Sequence, residues 1–146
     1  MGLIDELGTG PIAVDTTAFI YFIENHATYA DVLRPLFTAA DLGQIRLVTS
    51  QLTPLEVLVV PYRAKDTALA DRYQALLTGS RGLTVCAMDA AQLRVAAQLR
   101  AHLGMRTPDA IQLAVAMTFA CSAFVTNDRR IRSTGGLRVL QLEDFT

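Results

Sequence analysis

Four carboxylates occupy positions from which they could work together. Asp15 directly follows the short apolar run Ile12-Ala13-Val14, and Asp128 comes two residues after Ala123-Phe124-Val125-Thr126. Glu56 lies in TPLEVLVV and Asp109 in TPDAIQLAV, each near the start of an apolar helical segment. Open parallel sheets bind ligands in the crevice beyond the carboxyl ends of their strands, so all four acids are expected at one edge. Like charges gathered there are costly unless something positive fills the space between them. No lysine or histidine stands at these strand ends. Oxygen donors without a soft partner select Mg2+ or Mn2+. Zinc is a poor match, because His26 and His102 are isolated and Cys86 and Cys121 form no CxxC pair.

Each acid also has a purely structural use. Asp15 can cap a helix opening at Thr16. Thr53-Pro54-Leu55-Glu56 has the form of a capping box, in which the glutamate reaches back to the cap amide. Asp109 suits the positive end of a helix, and Asn127-Asp128 is ordinary turn chemistry. The joint pattern favours a site over four separate caps. All four lie in apolar segments on one expected edge, whereas Asp31, Asp41, Asp66, Asp71, Glu143 and Asp144 mostly fall in polar or loop contexts.

The elements that would position the acids follow from hydrophobic spacing. Residues 11–14, 46–49, 83–86, 123–126 and 137–140 read as short buried strands. Helices are expected from Thr16, over Thr28 to Leu42 with a possible bend at Pro35, and from Ser50 or Thr53 to about Val60, closed by Pro61. Three more are expected: from Asp66 to Leu77, from an Asp89 cap through Leu103 to Gly104, and from Thr107-Pro108 through the nearly all-apolar AIQLAVAMTFA. Strands alternating with helices imply a parallel sheet covered on both faces.

The 146 residues are 51% apolar and 18% charged, with a mean hydropathy of +0.31, and no linker or repeat divides them. A single domain spanning residues 1–146 is therefore expected, with a core that needs no disulfide or metal to hold it. The composition excludes a disordered chain. No uninterrupted apolar run is long enough for a membrane helix. The opening MGLIDELGTG carries acids where a secretory signal carries bases, which predicts a cytoplasmic protein with two free, buried thiols. A net charge of −1 and a pI near 6.1 exclude a protein that coats nucleic acid by bulk charge. With the four acids set aside, however, the remainder carries +3. Lys65 is the only lysine beside twelve arginines.

The blocks IAVDTTAFIYFIE, TSQLTPLEVLVVPYR, GMRTPDAIQLAVAM and AFVTNDRRI, in that order, resemble the PIN domain of small bacterial ribonucleases that act as toxins in VapBC-type toxin–antitoxin pairs. The resemblance runs from Ile12 to about Leu142. It implies an α/β fold, a three-layer α/β/α sandwich around a short, mainly parallel central sheet. It also implies Mg2+- or Mn2+-dependent cleavage of RNA, a homodimer, and inhibition by a cognate antitoxin. The family's metal-binding and catalytic acids carry over to Asp15, Glu56, Asp109 and Asp128, and its supporting polar residue beside the last acid to Thr126 or Asn127. Arg106, Arg129, Arg130 and Arg132 flank these acids and are candidates for RNA phosphate contacts.

Two other hydrolase and signalling patterns do not match. A phosphoacceptor receiver domain wants adjacent acids after the first strand and a lysine at a strand end. A haloacid-dehalogenase-type phosphatase wants a second acid at position 17, where Thr17 sits. The remaining alternative is a catalytically silent PIN-fold module that binds RNA or protein through the same acids. The surplus of apolar residues further predicts either that some helix surface, around Phe19, Tyr21 and Phe22 or around Leu33 and Phe37, is covered by another copy or by the antitoxin, or that all of it is core, the reading favoured for the Phe19–Phe22 stripe.

Overall fold

The computed structural model describes residues 2–146. Its strands are β1 (Ile12–Val14), β2 (Leu47–Ser50), β3 (Leu83–Cys86), β4 (Ala123–Thr126) and β5 (Arg138–Gln141). Six helices connect them: α1 (Thr16–Ile23), α2 (Tyr29–Asp41), α3 (Leu52–Arg63), α4 (Thr67–Gly79), α5 (Ala90–Leu103) and α6 (Thr107–Thr118). All five strands are parallel, in the order β3-β2-β1-β4-β5. The three inner strands are buried at every position, while β3 and β5 expose Thr84 and Arg138 at the sheet edges.

Alternation along each strand divides the interior into two layers. Ile12, Val14, Leu47 and Val125 point to one face and pack with Phe19, Leu33, Phe37, Tyr73 and Leu77 from α1, α2 and α4. Ala13, Val48 and Phe124 point to the other and meet α5 and α6. The result is the three-layer α/β/α sandwich implied by the resemblance. Alpha-helix α6 is buried from Ala110 through Ala116, matching its all-round apolar character. Cys86 and Cys121 are free and buried in this second layer. Burial, reinforced by the neighbouring Cys86, pushes the Cys121 thiol up to about 12.

Helix α3 opens at the Ser50 alternative, whose hydroxyl accepts from the Leu52 N–H at 3.0 Å, and differs from its expected limit at the other end. It begins at Leu52, so Thr53 lies inside the helix and cannot serve as its cap. It also continues through Pro61 to Arg63. A proline removes one donor, but only one. The last turn is retained because Ala64, Lys65 and Asp66 return their N–H groups to Val60, Tyr62 and Pro61. Pro61 itself is buried. For the apolar helix residues, the core alternative holds. Phe19, Leu33 and Phe37 are core, and Tyr21 and Phe22 pack against that core. The exposed large apolar side chains include Leu55, Val59, Val60 and Tyr62 on α3, Leu93, Leu103, Met117 and Phe119 on α5, α6 and the turn after it, and Ile4, Leu42 and Met88 elsewhere. Among the described residues, no helix is long and apolar enough to cross a membrane.

Candidate functional site

The carboxyl ends of β1 and β4, with the first turns of α1 and α6 and the second turn of α3, form the edge where the four acids stand. All four are half-buried. Asp15 follows β1 as the N-cap of α1, its Oδ1 accepting from the Thr16 N–H at 2.8 Å. Its Oδ2 accepts from the Thr126 hydroxyl at 2.7 Å. Asp15 therefore caps a helix and faces the site at once. Burial holds its carboxyl above the ordinary range, and the charges of Asp109 and Glu56 add to that push. The bonds from Thr126 and Thr16 oppose it only in part.

Glu56 forms no capping box with Thr53. Its Oε1 instead accepts from the Thr16 hydroxyl across the site at 2.7 Å. Asp109 sits in the first turn of α6, and its Oδ2 accepts from Arg106 Nε at 3.1 Å. Asp128 turns back on its own loop, Oδ1 accepting from the Arg130 N–H at 2.9 Å. The Arg130 guanidinium grips both oxygens of the same carboxylate, at 2.9 and 2.7 Å. That pair, with Arg106 3.6 Å away, holds Asp128 below the ordinary carboxylate range.

Two of the candidate phosphate-binding arginines are thus counter-ions of the acids in this structure. Arg129 is drawn instead to Glu143 and Asp144, and Arg132 is exposed. Thr126 is the residue that supports Asp15, and its Oγ1 also accepts from the Asp128 N–H at 3.1 Å. Asn127 serves a different end, with its Oδ1 accepting from the Glu143 N–H at 3.1 Å.

The donor set is oxygen only, which suits a hard divalent cation. Asp15 and Glu56 carry no arginine, and burial, with the charges of Asp109 and Glu56 added, holds the Asp15 carboxyl up. With Arg106 and Arg130 drawn onto Asp109 and Asp128, no three acidic, histidine or cysteine side chains among the described residues converge at single-ion spacing. The residues fit such an ion chemically, while Arg106 and Arg130 occupy the carboxylates of Asp109 and Asp128.

The PIN domain family profile matches residues 12–137. The chain belongs to the PIN domain family. Solved structures repeat the fold. A chain in the VapBC2 complex of Rickettsia felis, bound to a DNA fragment from its promoter, superposes with a TM-score of 0.69 at 16% identity. That match covers 90% of this PIN domain chain and 98% of the other. DNA-bound VapBC from Salmonella typhimurium gives 0.66 at 22% identity, covering 92% and 99%. VapBC-5 from Mycobacterium tuberculosis gives 0.60 at 22%, covering 90% and 98%. No curated protein matches the sequence at a significant level.

One part of this PIN domain's site went unseen in the sequence. Thr16, Thr49, Thr53 and Gln112 form a buried polar cluster directly beneath the acids. The only available signal was Gln112, a lone amide inside the otherwise apolar AIQLAVAM.

Proposed function

We propose that this PIN domain, residues 1–146 acting as one unit, is a metal-dependent endoribonuclease and the toxin of a toxin–antitoxin pair. Asp15, Glu56, Asp109 and Asp128 hold Mg2+ or Mn2+. The observation that carries this reading is the gathering, in a PIN-family chain, of four half-buried carboxylates from separate elements, with Asp15 held above its ordinary range. A bound divalent ion supplies Lewis acidity toward a phosphodiester and lowers the pKa of water enough to give hydroxide near neutral pH. The chain's own part is to aim the donors. Thr126 and the Thr16 N–H fix the two oxygens of Asp15, and the Thr16 hydroxyl fixes Glu56. Arg106, Arg129, Arg130 and Arg132 provide guanidinium donors for RNA phosphates, the positioning kind of contact.

The fold shared with chains of VapBC assemblies supports a cognate antitoxin as partner. The exposed side chains of α3 offer apolar surface for that partner or for a second copy in a homodimer. The expected setting is the cytoplasm. Purified protein incubated with total RNA should cut it in Mg2+ or Mn2+, leave 5′-phosphate ends, and stop in EDTA. Undiminished cutting in EDTA, or 2′,3′-cyclic phosphate ends, overturns the mechanism.

The Arg106 and Arg130 pairs favour one second reading, a catalytically silent PIN-fold module whose acids are already satisfied by cations. Retention of RNA or of a protein partner, with no cleavage in either metal, would select it.

A further inference from the structure

Beneath the acids, Thr16, Thr49, Thr53 and Gln112 are all buried, Gln112 to 3% exposure. Polar groups so placed must be bonded to one another, and here the bonds have assignable directions. The Ser50 backbone N–H lies 3.3 Å from Gln112 Oε1. A backbone N–H can only donate, so this contact fixes which end of the Gln112 amide is oxygen. The nitrogen end then presents its two protons to Thr16 Oγ1 at 3.1 Å and Thr53 Oγ1 at 2.9 Å. Each of those hydroxyls accepts from Gln112 and keeps one proton to give.

For Thr16 the choice is Thr53 Oγ1 at 3.1 Å or Glu56 Oε1 at 2.7 Å. The carboxylate is both nearer and charged, and charged acceptors make the stronger bond. Thr53 has Thr49 Oγ1 at 2.7 Å, and Thr49 has the Val14 carbonyl at 2.9 Å. Protons therefore point outward from Gln112 along two branches, one ending on β1 and the other on Glu56. The backbone of Thr16 meanwhile donates to Asp15. One residue grips two acids, and its hydroxyl is aimed by a third element, the helix that also carries Asp109.

We propose that Gln112 is the positioning residue of the acid cluster, acting through Thr16 to hold Glu56 beside Asp15. The proposal rests on the metal-binding reading of those acids. Without the Gln112 amide, the Thr16 hydroxyl is free to turn toward Thr53, and Glu56 loses its fixed donor. Outer partners of this kind typically change metal affinity 10–100-fold.

The test is Mn2+ alone, titrated calorimetrically into the metal-free full-length chain, with folding checked by circular dichroism. Gln112→Leu and Thr16→Val should each weaken Mn2+ binding by about 10- to 100-fold. Thr16→Ser, which keeps the hydroxyl, should bind nearly as wild type does. In the Thr16→Val background, Gln112→Leu should cost nothing more, since the two changes break one path. A folded Gln112→Leu protein with wild-type Mn2+ affinity overturns the proposal, and so do losses that simply add. If Gln112→Leu fails to fold, the unbranched Gln112→Met carries the same comparison. A wild-type chain that binds no Mn2+ overturns the metal reading as well, whereas tight wild-type binding with an indifferent Gln112 variant overturns this inference alone.

Discussion

Asp15 and Asp128 are chemically alike in sequence and opposite in the fold. Burial and the nearby Asp109 and Glu56 charges raise the Asp15 carboxyl, while the Arg130 guanidinium lowers that of Asp128. The raised group contributes most below its unfolded value, and that contribution is lost as pH rises through its folded value. The lowered group contributes above its unfolded value and loses that contribution as pH falls. In EDTA, thermal melts should therefore show two separate windows. Stability falls above the ordinary aspartate range because of Asp15, and below that range because of Asp128. Asn is as good an N-cap as Asp. Asp15→Asn should thus remove the upper window, raise the neutral-pH melting temperature in EDTA, and lower any cleavage by more than about 100-fold, beyond the loss usual for an outer partner. A mutant that melts below wild type in EDTA would mean that Asp15 is a cap and nothing more.

Arg130 gives the complementary prediction. Its side chain is 62% exposed, so solvent screens its ion pair and leaves the pair little weight in stability. In Arg130→Gln, metal entering the site has one fewer counter-ion to displace. The Mn2+-induced rise in melting temperature should then exceed that of wild type, although the metal-free protein melts slightly lower. An equal or smaller rise would show that the pair does not compete with metal.

Among the elements, β3 depends on a residue with no side chain. A Cβ built on Gly82 would lie 2.3 Å from the Ala40 carbonyl oxygen and 2.7 Å from that of Ile45, both backbone atoms that cannot yield cheaply. The Gly82 carbonyl in turn accepts from the Leu47 N–H at 2.7 Å, tying the start of β3 to β2. Gly82→Ala should cost at least the roughly 1–3 kcal/mol typical of overpacking, read as a lower urea midpoint. Wild-type stability in that variant would mean the loop beside α2 moves freely.

The strands were legible because each is a short apolar run between turn residues, and the acids because each is a charge in apolar company. The end of α3 was not, since Pro61 costs its helix one donor and the following loop repays it with three. The threonine–glutamine cluster was hidden for another reason: hydroxyl and amide side chains look alike in sequence whether they face water or one another. The pairing of Arg106 and Arg130 with the acids was equally hidden, because long side chains choose partners by reach.

At the level of the molecule, α3 carries an apolar stripe that the fold leaves uncovered. Leu55, Val59 and Tyr62 follow helical spacing and are 63%, 43% and 57% exposed, while Thr53, Val57 and Pro61 on the opposite side are buried. Leu55→Asp with Val59→Asp should change folding stability by less than about 1 kcal/mol, as surface substitutions generally do. The same pair should abolish any self-association or antitoxin capture that sedimentation detects at micromolar concentration. Association that persists would assign the contact to another face.

The placement of β1 has a consequence in time. It is the first strand made and the middle strand of the sheet, with β2 on one side and β4 on the other. Its partner β4 is synthesised more than a hundred residues later, and pairings so distant in sequence form slowly. Until β4 leaves the ribosome, Asp15 lacks the Thr126 hydroxyl, and Asp128 cannot reach its place at the sheet edge. Until that pairing forms, the growing polypeptide carries one open edge along β1 and an incomplete set of carboxylates. Whatever these acids do together, they begin to do it only after the last strand beside β1 has been made and paired.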